Sequence, residues 1–128
     1  TTRTVRVQFT EETGLQKYNG CYQINEDSNR FDNRHVYDDI IEKNEDNISF
    51  GFCQDKQRWI LFKDIDNNST PCNKTNELIH SSKTNTFDIS SSFDEPWYSS
   101  SGTSVPLYFF DGENELNCGL FLNDGSYD

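Results

Sequence analysis

Four cysteines, Cys21, Cys53, Cys72 and Cys118, are the residues of this chain best suited to covalent chemistry. None forms a Cys-x-x-Cys pair, and no cysteine–histidine cluster has zinc-finger spacing, so the pattern does not point to a bound metal. Paired oxidation is the simpler expectation, since a small chain with a thin core gains most from covalent staples. Of the three pairings that four cysteines allow, we expect Cys53–Cys72, closing a central hairpin and the loop after it, and Cys21–Cys118, tying the ends of the domain. Buried reduced thiols are the alternative.

Asparagine chemistry favours the oxidised state. Asn47-Ile48-Ser49, Asn67-Asn68-Ser69, Asn68-Ser69-Thr70 and Asn73-Lys74-Thr75 all match the N-glycosylation acceptor pattern. Several of them bunch around Cys72 in a stretch that reads as an exposed loop. With the cysteines, they point to an extracellular protein, secreted or on the cell surface.

Other constellations are thinner. Asp64, Asp66 and Asn68 alternate like the opening of a calcium loop, but Ser69 replaces the turn glycine and Thr75 the bidentate glutamate. His35 and His80 have no motif partner. Asp94 and Glu95 beside Trp97 mimic a glycosidase carboxylate pair, a coincidence any acidic chain offers. There is no GxSxG, HExxH or P-loop. We therefore expect no enzyme activity, no cofactor and no EF-hand metal site, with a looser calcium site among the acidic loops left open. Trp97, Tyr98 and Trp59, with Tyr108, are candidates for a sugar-stacking platform; the competing expectation is that most of these rings are core. Trp97-Tyr98 is the better candidate, because Ser-rich sequence flanks it.

These residues sit in a chain of 128 amino acids, enough for one domain. Hydrophobic residues are only 32% and aromatic residues 14%, so a few large rings must supply most of the buried area. The formal net charge of -11, with scattered basic residues, argues against nucleic-acid and anionic-membrane partners. No apolar stretch approaches the roughly 20 residues that cross a bilayer. Thr1–Thr10 lacks the apolar core of a signal peptide and reads as mature chain.

Strand signals dominate. Ile48, Phe50 and Phe52 alternate with Ser49, Gly51 and Cys53; the polar turn Gln54–Gln57 follows, then Trp59, Ile60, Leu61 and Phe62. This predicts a central β-hairpin over Ile48–Lys63. Val5, Val7 and Phe9 alternate with Thr4, Arg6 and Gln8 in a further strand. That strand is either the first of the domain's own sheet or an arm that adds to a neighbour's sheet edge. Asn19-Gly20 predicts a tight turn between strands. Val36-Tyr37, Leu78-Ile79 and Leu116–Leu122 read as short strands, Thr84–Ser92 alternates only loosely, and Asp38–Asp46 reads as one helical turn or a loop. Ser90–Ser104 reads as a flexible loop. Pro106 makes Val105–Phe110 an edge strand or the start of one. The fold class expected is all-β: a disulfide-stapled antiparallel β-sandwich or small barrel, with residues 1–14 as an N-terminal strand or arm and residues 15–128 as a single β domain.

The run Asn19-Gly20-Cys21-Tyr22, then Arg34-His35-Val36-Tyr37, then Arg58-Trp59-Ile60-Leu61, resembles a module repeated in secreted and surface proteins of diatoms and related algae. The likeness spans Tyr18 to Phe110 and implies an extracellular β module. From Cys118 onward the chain resembles the opening of a Lin-12/Notch repeat. Tyr127 stands where that repeat has its second cysteine, so neither its disulfides nor its calcium site carries over.

The leading functional expectation is a glycosylated structural protein, a subunit of a fibre, wall or surface coat. It would polymerise by placing Val5, Val7 and Phe9 of the N-terminal strand in pockets of the next copy. The alternative is an extracellular carbohydrate-binding module using Trp97, Tyr98 and Trp59.

Overall fold

Alternating side chains and a four-residue polar turn build the central hairpin. In a computed structural model that describes residues 2–25, 34–39, 47–64 and 70–111, β4 (Asn47–Cys53) pairs antiparallel with β5 (Arg58–Asp64). The register runs from Asn47↔Asp64 to Cys53↔Arg58. Gln57 closes the turn at φ 52°, the only non-glycine residue of the described chain in the left-handed region.

The hairpin lies inside an eight-stranded sheet with β1 (Thr4–Phe9), β2 (Gly20–Ile24), β3 (Tyr37–Asp39), β6 (Glu77–Ser81), β7 (Trp97–Ser99) and β8 (Leu107–Asp111). The strand order is β7-β6-β5-β4-β3-β2-β1-β8, and every pairing is antiparallel. An up-and-down meander whose last strand returns to its first curls into a nearly closed barrel.

The ends of the sheet meet at a seam. Beyond β7 the chain doubles back, pairing Ser104 with Tyr98 and donating the Val105 N–H to the Trp97 carbonyl at 2.9 Å. Pro106 has no N–H to continue that ladder. Its carbonyl accepts the Thr10 N–H at 3.5 Å, and β8 starts one residue later against β1, with Phe9 opposite Leu107. Pro106 thus marks the point where the returning chain leaves β7 for β1.

Eight strands leave an interior that side chains just fill. Here Val5, Val7, Phe9, Tyr22, Tyr37, Ile48, Phe50, Phe52, Trp59, Leu61, Ile79 and Trp97 form one buried cluster. Phe50 sits at its centre, edge-on to Tyr22 and Trp97 at 5.1 and 5.7 Å between ring centroids. The opposite face of the hairpin is also covered. Cys53, Ile60 and Phe62 form a second buried cluster, on which half-buried Cys72 packs. Continuous burial of β4 after Asn47 follows from this double coverage. It explains why Trp59–Phe62 reads as an unbroken apolar run.

Several expectations are corrected. Thr4–Phe9 is not an arm: β1 is bonded on one side to β2 and on the other to β8, and Val5, Val7 and Phe9 are at most 1% exposed. Residues 4–111 therefore share one sheet, with no boundary at residue 14. Asn19-Gly20 is not a two-residue hairpin turn. The β1–β2 connection contains short 3-10 turns at Glu11–Thr13 and Gln16–Tyr18, and Asn19 Oδ1 accepts the Phe9 N–H at 2.6 Å. Thr84–Ser92 is not a strand but an irregular connection ending in a 3-10 turn at Ile89–Ser92. The Ser-rich stretch holds β7 rather than a structureless loop. Residues 26–33 and 40–46, Asp66, and the strand expected at Leu116–Leu122 lie outside the described residues.

Candidate interaction surface at the barrel seam

The interior of the seam is packed with rings. Phe109, from β8, lies 5.0 Å from Trp97 and 6.0 Å from Phe50, and it stacks on Phe93 at 4.9 Å with an interplanar angle of 4°. Phe93 reaches this position from the connection after Ile89–Ser92, whose Ser92 carbonyl accepts the Trp97 Nε1–H at 2.9 Å. Ring packing here substitutes for the ladder that is absent between β7 and β8 among the described residues.

The outside of the same strand is different. Strand alternation that sends Leu107 and Phe109 inward sends Tyr108 and Phe110 outward. They are 61% and 39% exposed, and with Phe87 they are the large exposed hydrophobics of the described chain. Tyr108 stands opposite Gln8 and Phe110 opposite Arg6 on β1. Among the described residues, Leu107–Asp111 has a strand neighbour on one side only. It presents neither a lysine nor an internal proline, the usual devices that protect a sheet edge from foreign strands.

The sequence candidates are dispersed by comparison. Trp59 and Trp97 are 0% and 1% exposed. They belong to the core and provide no sugar platform, because Trp97 is anchored to Ser92 and Trp59 packs edge-on to Phe52 at 5.5 Å. Tyr98 is half-buried against the ring of His80 at 5.7 Å. Val5, Val7 and Phe9 are core side chains.

The expected Cys53–Cys72 bridge is present, and Cys21 is also disulfide-bonded. Cys118 lies outside the described residues, as do Asn67 and Asn68. Asn47 and Asn73 are both exposed. Ser49, the hydroxyl residue of the first triplet, is buried and donates to Asp38 Oδ1 at 2.5 Å.

His80 is held by Glu77, Nδ1 to Oε2 at 2.9 Å, on β6. His35 faces Phe87 at 6.3 Å. Neither belongs to a group of three or more metal-ligating side chains among the described residues. Asp94 and Glu95 are exposed in the connection before β7. No helix of the described chain is long and apolar enough to cross a membrane.

Residues that carry the algal-module likeness serve the framework. Tyr22, Val36, Tyr37 and Trp59 are buried. Arg34 lies over the Phe52 ring at 3.9 Å and donates to the Thr86 carbonyl at 3.0 Å and Asn85 Oδ1 at 3.2 Å, tying two connections to β4. In comparisons with known proteins, no family model, curated protein or solved structure matches the chain.

Tyr108 and Phe110 were not singled out as a pair by sequence. The signal was available in Pro106, which marks an edge strand, and in strict alternation along Leu107–Phe110.

Proposed function

We propose that the chain is an extracellular, glycosylated structural module whose copies join through β8 as building units of a fibre, wall or surface coat. The observation that carries this is a strand with one neighbour among the described residues and two outward rings. Strand addition remains the mode of contact, but β8 replaces the N-terminal strand as the element that offers it.

A second copy is the occupant the edge favours. Two antiparallel β8 strands match each other's hydrogen-bonding pattern about a two-fold axis, so the same patch serves both partners. Each aromatic ring buries roughly 150–250 Å², so four rings supply on the order of 600–1,000 Å², below the 1,200–2,000 Å² of a standard stable interface. The pairing is therefore weak in solution and gains strength where many copies are gathered on one surface. Because each copy carries a formal charge of -11, salt should promote rather than oppose pairing.

Sedimentation velocity over a concentration series tests this. The wild-type protein should show a concentration-dependent dimer that increases from low salt to about 0.5 M, where screening is nearly complete beyond a few ångströms. Tyr108→Lys with Phe110→Lys should remain monomeric with an unchanged melting temperature, since both side chains are exposed. A wild-type protein that stays monomeric throughout would remove the self-pairing proposal. Polysaccharide binding lost in the same double variant would favour the carbohydrate-binding alternative, relocated to β8.

A further inference from the structure

We propose that Asn73 carries an N-linked glycan that shields the Cys53–Cys72 bridge; this rests on the extracellular assignment above. Asn73, Lys74 and Thr75 are all exposed, at the start of the short 3-10 turn Lys74–Asn76. Asn73 Oδ1 accepts the backbone N–H of Thr75 at 3.0 Å. That bond occupies the amide oxygen and leaves Nδ2 as the outward end of the side chain. The chemistry is group transfer from a lipid-diphosphate-linked oligosaccharide. The anomeric carbon forms a bond to Nδ2 and its bond to the diphosphate oxygen breaks. The lipid diphosphate departs, and one amide proton leaves through a base of the transferring enzyme. The folded chain then has room for the product, because all three residues of the triplet are exposed among the described residues.

The neighbouring residue gives the glycan a consequence. Cys72 is half-buried and packs on Cys53, Ile60 and Phe62, so the bridge clamps the loop segment that covers this outward cluster. Reduction requires a thiolate to reach one of the sulfurs. A hydrated, branched sugar rooted one residue from Cys72 stands in that approach. Asn47 provides the internal control: it begins β4 opposite Asp64, at the far end of the hairpin from the Cys53↔Arg58 pair.

Peptide mapping of protein purified from its own source, after enzymatic glycan release in heavy-oxygen water, tests occupancy. Asn73 should be recovered as labelled aspartate. Thr75→Ala, produced in a secretory host, removes the acceptor triplet but keeps the Asn73 cap, whose donor is the backbone amide. It should lose one glycan, and its Cys53–Cys72 bridge should be reduced by a small dithiol severalfold faster than in wild type. Asn47→Gln should leave that rate unchanged.

An unmodified Asn73 in native protein with oxidised cysteines overturns the inference while the extracellular assignment stands. Four free thiols in that material overturn the assignment, and the inference with it. Equal reduction rates for Thr75→Ala and wild type overturn the shielding role.

Discussion

Tyr22 shows how a polar atom is accommodated in a core built from rings. Its hydroxyl donates to the Tyr18 carbonyl at 2.7 Å, deep in the barrel. Burial raises its pKa well above the ordinary tyrosine value, and the nearby Asp39 and Tyr18 push in the same direction. The unfolded chain therefore releases this proton at a lower pH than the folded one. The associated stability is complete below the unfolded value of about 10 and is lost as pH rises through the folded value. Tyr22→Phe should flatten that alkaline decline in thermal melts. At neutral pH it should cost about 1–3 kcal/mol, because the Tyr18 carbonyl loses its donor.

Asp88 works in the opposite sense. Burial alone would raise its value, but hydrogen bonds from Ser90 and Thr2, through hydroxyls and backbone amides, outweigh it and hold the carboxyl below its ordinary range. Thr2 is held at 2.9 Å from its backbone nitrogen and 2.7 Å from its hydroxyl. This clasp is complete above the unfolded value, about 3.9, and is lost as pH falls through the lower folded one. The acid limb of the stability profile should become shallower in Asp88→Asn.

Trp97 marks the limit of sequence inference at this scale. Serines around it gave the composition of an exposed loop, yet the indole is core. Flanking polarity reports the backbone's exposure, whereas the direction of one ring depends on a distant acceptor, here the Ser92 carbonyl.

Among the elements, the β4–β5 hairpin was legible because alternation, turn and apolar run all agreed. β1 was legible as a strand but not in its role. A period of two identifies a buried face; it carries no information on whether one edge of the strand is paired, both are, or neither is. The pairing of β1 with β8 joins residues about a hundred positions apart, as in Val5↔Asp111, and nothing local encodes that closure.

Two outcomes follow for the elements. Deleting residues 1–10 should unfold the protein, since it removes three buried core side chains and opens the barrel between β2 and β8. Loss of one large buried side chain already costs about 2–5 kcal/mol against a total of about 5–15. Circular dichroism of the truncated chain checks this; a folded monomer would contradict the placement of β1. Replacing Cys53 and Cys72 together by alanine should cost about 2–4 kcal/mol in urea denaturation, the usual contribution of a bridge closing a loop of this order. The pairing of these cysteines was readable because they bracket the hairpin's second strand and the loop that follows it.

At the scale of the whole molecule, a chain with 32% hydrophobic residues folds by concentrating its aromatic residues inside a barrel and by clamping a loop over one outer wall. Against that background, Tyr108 and Phe110, exposed on a strand with one neighbour among the described residues, are the feature that folding alone does not require. Their exposure reduces solubility without adding to the core, which is the expected balance for a surface that meets a partner.

The most direct test is hydrogen exchange at single-residue resolution across a concentration series in moderate salt. If copies pair through β8, the amides of Leu107–Asp111 that β1 leaves unbonded should slow as concentration rises. Those of β4 and β5 should stay unchanged. Exchange along β8 that is independent of concentration, or protection appearing on another strand, would contradict the assignment.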